Sequence, residues 1–193
     1  MGACVKSYLD QLAEFMNFPA VIPETERQKA LKLAKPLSLV KEQYFLKAGE
    51  VPQRIGLNRS GLLRVYYVDP DGKEINKHFV TANSLAISYS AFLMRQELFI
   101  QALEDTQMLT LDYEDYTTLL ESHGCWQIAA RKLAEMLFVL KEKRESELLL
   151  HNAQERYALF LNDYPDLVHK ISQYHIASYL GITPESLSRI RSK

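Results

Sequence analysis

Glu185 and Arg189 stand four residues apart in the stretch "ISQYHIASYLGITPESLSRIRSK", residues 171–193. On a helix that spacing brings both side chains to one face. An ionised glutamate accepts hydrogen bonds, and a guanidinium donates two in parallel. The pair could therefore read base edges in a major groove, Arg189 giving to guanine O6 and N7 and Glu185 taking from cytosine N4. The plainer use of the same residues is a solvated pair that steadies its own helix by about 0.2–0.5 kcal/mol. Ser186, Ser188 and Arg191 lie on the same outer side or flank it.

The elements that would hold such a face are legible around it. Ile176, Leu180, Ile182, Leu187 and Ile190 are the apolar positions, Ala177 is small, and Gly181 stands where the first run ends. A helix-turn-helix needs that arrangement: the small residue lets the second helix approach the first, and glycine tolerates a left-handed corner. Ser172 can cap the first helix. Thr183 can cap the second, with Pro184 in its first turn where a missing N–H costs nothing. From Asp166 onward four lysines and arginines oppose two carboxylates, a local +2 in a chain whose formal net charge is −1. Any polyanion must be met by this local patch, and two copies in a dimer would double it.

Upstream, residues 125–160 contain neither Gly nor Pro and are rich in helix formers. Trp126, Ala129, Leu133, Met136 and Leu140 step by three and four, and Leu137 adds to an apolar surface on more than one side. Such a helix covers two things. One face can lie on its own chain with the rest on neighbouring helices, or the second face can pair with the same helix of another subunit. Between about 40 and 113 the period changes to short strands separated by Gly, Pro, Asn or Asp, which predicts an antiparallel sandwich or barrel. The sequence "DPDG" at 69–72 predicts a type I turn joining Leu62–Val68 to Lys73–Val80. Residues 1–35 predict two or more short helices, with Tyr8, Leu12, Phe15 and Met16 at helical spacing and Pro36 closing the section.

Other chemistries find little support. The five histidines form no H-x-x-x-H or H-E-x-x-H pair, and no G-x-S-x-G or phosphate-cradling glycine loop is present, so an enzyme is not expected. Cys4 and Cys125 are too far apart in sequence for a metal-ligand pair and too few for an iron–sulfur cluster, which predicts reduced thiols and no cofactor. Apolar runs are broken by charge well short of a bilayer span, and Lys6 stands where a myristoylation motif wants Ser or Thr. The expected location is the cytoplasm.

Short helices, a compact β domain, a long helix and a helix-turn-helix resemble, in that order, the Crp/Fnr family of bacterial transcription regulators. The resemblance runs over about residues 40–193. It rests on "ISQYHIASYLGITPESLSRIR", with support from "AGE" at 48–50, "SGLLRVYYVDPDGKE" at 60–74 and the long helix. It implies an α+β protein: a jelly-roll-like β-roll (double-stranded β-helix) sensor with N-terminal helices over 1–120, a dimerisation helix over 121–150 and a DNA-binding domain over 151–193. Glu185 and Arg189 match the family's base-reading positions and Ser172 and Gln173 its phosphate-contacting ones; Thr183, Ser186 and Arg191 complete the candidate set. Implied partners are a two-fold symmetric operator, a second copy of the chain, RNA polymerase and a small-molecule effector.

The departures carry information of their own. Cyclic-nucleotide-binding members hold the cyclic phosphate with Gly-Glu and Arg-Ser or Arg-Thr pairs, whereas "SLAISYSAFLMRQELFIQALED" at 84–105 has neither. A fixed bidentate cation and backbone donors are what a cyclic phosphate needs. The expected effector is therefore not cyclic AMP, and Ile87, Tyr89 and Arg95 are the candidates to line its pocket. His78 reads as a structural strand histidine. Pro184 replaces a base-contacting arginine of the cyclic-AMP receptor protein, and the two-stranded wing that usually follows the recognition helix is expected to be absent. The competing reading is a ligand-binding or protein-interaction module whose helix-turn-helix is vestigial.

Overall fold

The structure, a computed structural model, describes residues 22–88 and 97–192. Among these residues, helix α1 (Glu24–Leu33) leads into eight strands: β1 (Lys35–Leu39), β2 (Tyr44–Leu46), β3 (Arg54–Ser60), β4 (Leu63–Val68), β5 (Glu74–Val80), β6 (Leu85–Ala86), β7 (Phe99–Ala102) and β8 (Thr106–Asp112). Helices follow to the end: α2 (Tyr113–Ser122), α3 (Gly124–Leu150), α4 (Ala153–Asp163), α5 (Leu167–Lys170), α6 (Gln173–Leu180) and α7 (Pro184–Arg191). The expected helical positions Tyr8, Leu12, Phe15 and Met16 lie outside the described residues, as do Cys4, Tyr89 and Arg95.

The strands pair antiparallel into two sheets, ordered β1-β8-β3-β6 and β2-β7-β4-β5. This is the jelly-roll-like roll that the strand pattern and the resemblance predict. Between the sheets lie Leu39, Leu46, Leu63, Val65, Ile100 and Met108, among others. The β4–β5 hairpin closes through the predicted turn, in which the Gly72 amide donates to the Asp69 carbonyl at 2.9 Å. The Asp69 carboxylate accepts from the amides of Asp71 and Lys73 at 3.0 and 2.9 Å, which is why an aspartate opens this turn. At the other end of β4, Gly61 has φ +88°, and a Cβ there would lie 2.3 Å from the Asp105 carbonyl oxygen. Only glycine fits.

Two local readings need correction. Pro36 does not simply close the helical section; it sits in β1, the edge strand of its sheet, where the missing N–H breaks no interior ladder. The stretch "QYFLKAGE" is strand only over Tyr44–Leu46, because Lys47–Glu50 forms a turn in which the Glu50 amide donates to the Lys47 carbonyl at 3.1 Å.

A second core joins roll to helices. Leu62 and Phe79 from the β4–β5 region pack with Phe160, Tyr179, Leu180 and Leu187 in one buried cluster. The Phe79 ring meets those of Phe160 and Tyr164 edge-on, at centroid distances of 6.4 and 5.8 Å, a preferred arrangement for aromatic pairs. The long α3 begins behind His123, whose Nδ1 accepts from the Cys125 amide at 3.1 Å. α4 begins with a capping box, Asn152 accepting from the Glu155 amide and Glu155 from the Asn152 amide.

Candidate nucleic-acid interface

The corner between α6 and α7 is built as its sequence dictates. Ser172 Oγ accepts from the His175 amide at 3.4 Å, and Thr183 Oγ1 accepts from the Ser186 amide at 3.3 Å, so both predicted caps form. Gly181 is left-handed at φ +69°, and the Ile182 amide reaches back to the Ala177 carbonyl at 3.0 Å. That is the backbone closure of a Schellman ending. Ile176, Ala177, Leu180 and Leu187 have no exposed surface, which fixes α7 against α6.

The outer side of the pair stays open. Ser172, Gln173, Thr183, Glu185, Ser188, Arg189 and Arg191 are exposed. Ser186 is half-buried and its hydroxyl lies 3.2 Å from that of Thr183, so it belongs to the cap as much as to the outer face. Hydrogen bonds from its own backbone N–H and from Thr183 hold the Glu185 carboxyl below the usual glutamate range, and Arg189 adds to the effect. Glu185 is thus an ionised acceptor. Among the described residues neither Arg189 nor Arg191 forms an ion pair, so their donors are uncommitted.

The inner side of α6 is closed by polar groups that the linear sequence did not single out. Ser178, buried, donates to the Glu74 carbonyl at 2.8 Å and accepts from the Asn76 amide at 2.9 Å, so its hydroxyl completes the edge of β5. Asn76 Nδ2 donates to the His175 carbonyl at 3.1 Å. Arg64, buried on β4, donates to Gln101 and Glu74, lies 3.9 Å over the Tyr66 ring and reaches His175 Nδ1 at 3.4 Å. A guanidinium can only donate, so His175 Nδ1 is the acceptor and its proton sits on Nε2. Burial, with the Arg64 charge beside it, lowers the His175 pKa. The only advance signal was a small polar residue inside the apolar run "HIASYL".

The C-terminal carbonyls of α6 are met from two directions. Arg144 of α3 donates to the Tyr179 carbonyl and stacks 3.9 Å over the Tyr179 ring, and Arg156 Nε of α4 donates to the Leu180 carbonyl at 3.0 Å. These carbonyls have no partner inside their own helix, and cations are favoured there by the helix dipole. The long helix therefore grips the corner directly.

Along α3 the residues expected to face a second subunit divide. Trp126 Nε1 donates to Glu26 Oε2 of α1 at 3.0 Å, Leu133 is buried in its own chain, and Ala129 lies beside it over the roll. These three are covered by their own chain, one of the two uses the sequence left open for the apolar faces of this helix, because spacing of three and four marks an apolar face without saying what covers it. Met136 and Leu137 are half-buried, while Leu140 is 51% exposed beside Phe138 and Val139 at 58% and 60%. Of the effector candidates, Ile87 lines a cleft of about 610 Å³ on the roll with Phe45, Glu50, Arg54, Ser88 and Ile100. Arg54 is the one cation among the described lining residues, and Asp112 holds it at 3.2 Å.

Three comparisons bear on this arrangement. The profile of the family described as cyclic nucleotide-binding domain matches residues 36–123. The chain is 26% identical to the fumarate and nitrate reduction regulatory protein of Vibrio cholerae, over 98% of this chain and 80% of that one. Its fold matches FixK2 from Bradyrhizobium japonicum with a TM-score of 0.70 at 22% identity, covering 82% and 83% of the two chains. It also matches a chain described as a transcriptional regulator of the Crp/Fnr family from Eubacterium rectale, with a TM-score of 0.73 at 19% identity, covering 88% and 82%. No helix among the described residues is long and apolar enough to cross a membrane.

Proposed function

We propose that this chain is a dimeric transcription regulator of the Crp/Fnr type, which reads a two-fold symmetric DNA site through α7 and senses an effector other than cyclic AMP in its roll. The observation that carries the reading is the outer face of the helical pair: Glu185 ionised, Arg189 without an ion pair among the described residues, and both presented on a helix whose inner side is packed. Ser172, Gln173 and Thr183 lie exposed at the helix starts, where backbone N–H groups and hydroxyls suit phosphate oxygens. Catalysis plays no part in this reading. RNA polymerase is its expected protein partner, and the cytoplasm its place of action.

Two further observations support the finer points. Leu140, exposed one turn beyond the half-buried Met136 and Leu137, continues an apolar stripe on α3 that suits a second copy of the helix, and the exposed Phe138 and Val139 flank it. The cleft beside Ile87 has a glutamate, Glu50, in its wall, and its one described cation, Arg54, is held by Asp112, a carboxylate that Lys35 shares; the carboxylate in the wall disfavours an anionic cyclic phosphate.

Selection of bound duplexes from a randomised pool, without added ligand and at two salt concentrations, tests the DNA reading. A two-fold symmetric consensus whose affinity falls steeply with salt is expected, because phosphate contacts release counterions. A shallow slope with no consensus would favour the module with a vestigial corner. Leu140→Glu should leave the fold intact and give monomers by light scattering at micromolar concentration; a wild-type chain that is already monomeric there would remove the dimer.

A further inference from the structure

The outer face of the β1-β8-β3-β6 sheet is apolar. Ile55 and Leu57 on β3 stand directly across from Leu111 and Leu109 on β8, and all four side chains point away from the roll interior that Met108 fills. This face is roofed by α1, α2 and the first half of α3, with small residues set among larger ones such as Trp126 and Leu133. Ala30 comes from α1, Ala34 from the residue just past its end, and Ala129 and Ala130 from α3. Alanines bridging from helix to sheet leave a gap, and the result is a cavity of about 150 Å³.

Its walls are almost entirely carbon, and the polar groups at its margin are already satisfied. Thr110 Oγ1 donates to the Lys35 carbonyl at 3.1 Å, and Trp126 Nε1 to Glu26 at 3.0 Å. A water molecule needs two to four polar partners, which these walls do not offer. An enclosed cavity of about 150 Å³ with such walls stays dry and takes up benzene or xenon; this one is open on one side, and its apolar lining favours the same kind of occupant over water. A charged or strongly hydrogen-bonding ligand would lose its hydration there with nothing in return.

We propose that this cavity between α1, the outer sheet face and α3 is a binding site for one uncharged apolar molecule the size of a single ring. It is separate from the cleft beside Ile87, which opens on other residues and carries Glu50, Arg54 and Ser88. The proposal does not depend on the DNA reading, since binding here can succeed or fail whatever α7 does. Its position gives an occupant direct contact with α3, the helix that leads to Arg144 and the corner.

Trp126, the single tryptophan of the chain, lines the cavity and reports on it. Iodobenzene, a heavy-atom quencher, should extinguish Trp126 emission in the full chain saturably, while 4-iodobenzoate should quench only weakly and linearly. Ala130→Leu, and independently Ala34→Leu from the opposite wall, should weaken the saturable quenching by about tenfold or more with far-UV circular dichroism unchanged. Linear quenching by both iodo compounds in the wild-type chain would mean that side chains of the chain or water fill the space, and would overturn the proposal. So would saturable quenching that both leucine variants leave untouched. Should either variant fail to fold, the contrast between the two quenchers on the wild-type chain decides alone.

Discussion

The two sides of the α6–α7 pair are built on opposite plans. Toward the roll, Ser178, Asn76, His175 and Arg64 form a largely buried polar seam in which donors meet acceptors across three elements, β4, β5 and α6. Toward solvent, Glu185, Arg189 and Arg191 are exposed, and neither arginine has an ion-pair partner among the described residues. Buried polar groups are worth little when paired and cost a great deal when one partner is lost, whereas exposed donors cost nothing to leave free. The inner side therefore sets where the pair sits, and the outer side is kept for something else.

The largest blow to that contrast should come from Leu187, which is fully buried between the two sides. Leu187→Ala should destabilise the chain by about 2–5 kcal/mol in urea unfolding and lower affinity for every duplex alike. Loss of base preference with stability intact would mean that Leu187 belongs to the reading surface.

Acid should attack the roll and the seam while sparing the outer face. Burial, with Lys77 adding to it, pushes His78 on β5 down to about 4, whereas a histidine in the unfolded chain titrates near 6.5. Between those values the unfolded state binds more protons, so stability is complete above the unfolded value and is lost as pH falls through the window. The loss should reach about 3 kcal/mol for His78, and His175, lowered in the same direction, adds to it. His78→Gln should flatten urea midpoints between pH 6.5 and 4; an unchanged slope would show that other groups carry it.

The sharpest contrast needs a pair of variants. Ser178→Ala leaves the Asn76 amide buried without its acceptor and should cost about 1–3 kcal/mol of stability with base preference retained. Arg189→Ala should do the reverse, relaxing preference at one base pair by about 1–3 kcal/mol and shifting the urea midpoint hardly at all. A swap of these two phenotypes would invert the assignment of the sides.

How much of this could be read in the chain depends on how far apart the partners lie. The corner was legible because Ser172, Ala177, Gly181, Thr183 and Pro184 answer to neighbours within a few residues. The turn at Asp69–Gly72 was legible for the same reason. The seam was not, since Arg64 and His175 are 111 positions apart and Ser178 and Asn76 are 102 apart, and a lone serine does not announce its partner. Trp126 and Leu133 show a different failure. Their apolar period was read correctly, but whether α1 and the sheet or a second subunit would cover them is a property of the assembled fold. The cavity lay beyond reach altogether, because it arises only where alanines of α1 and α3 meet over leucines of the sheet.

Leu62 and Phe79 share one buried cluster with Phe160, Tyr179 and Leu187. Roll and terminal helices should consequently melt in a single calorimetric transition, since neither can open without baring the other's aromatic rings. A recombination event that grafted a foreign helical pair onto this roll would strand Phe79 in water unless the newcomer brought its own aromatic partners. If Glu185 and Arg189 read bases as proposed, descendants of this chain can drift there, and with them in DNA preference, far more readily than they can exchange the corner as a whole.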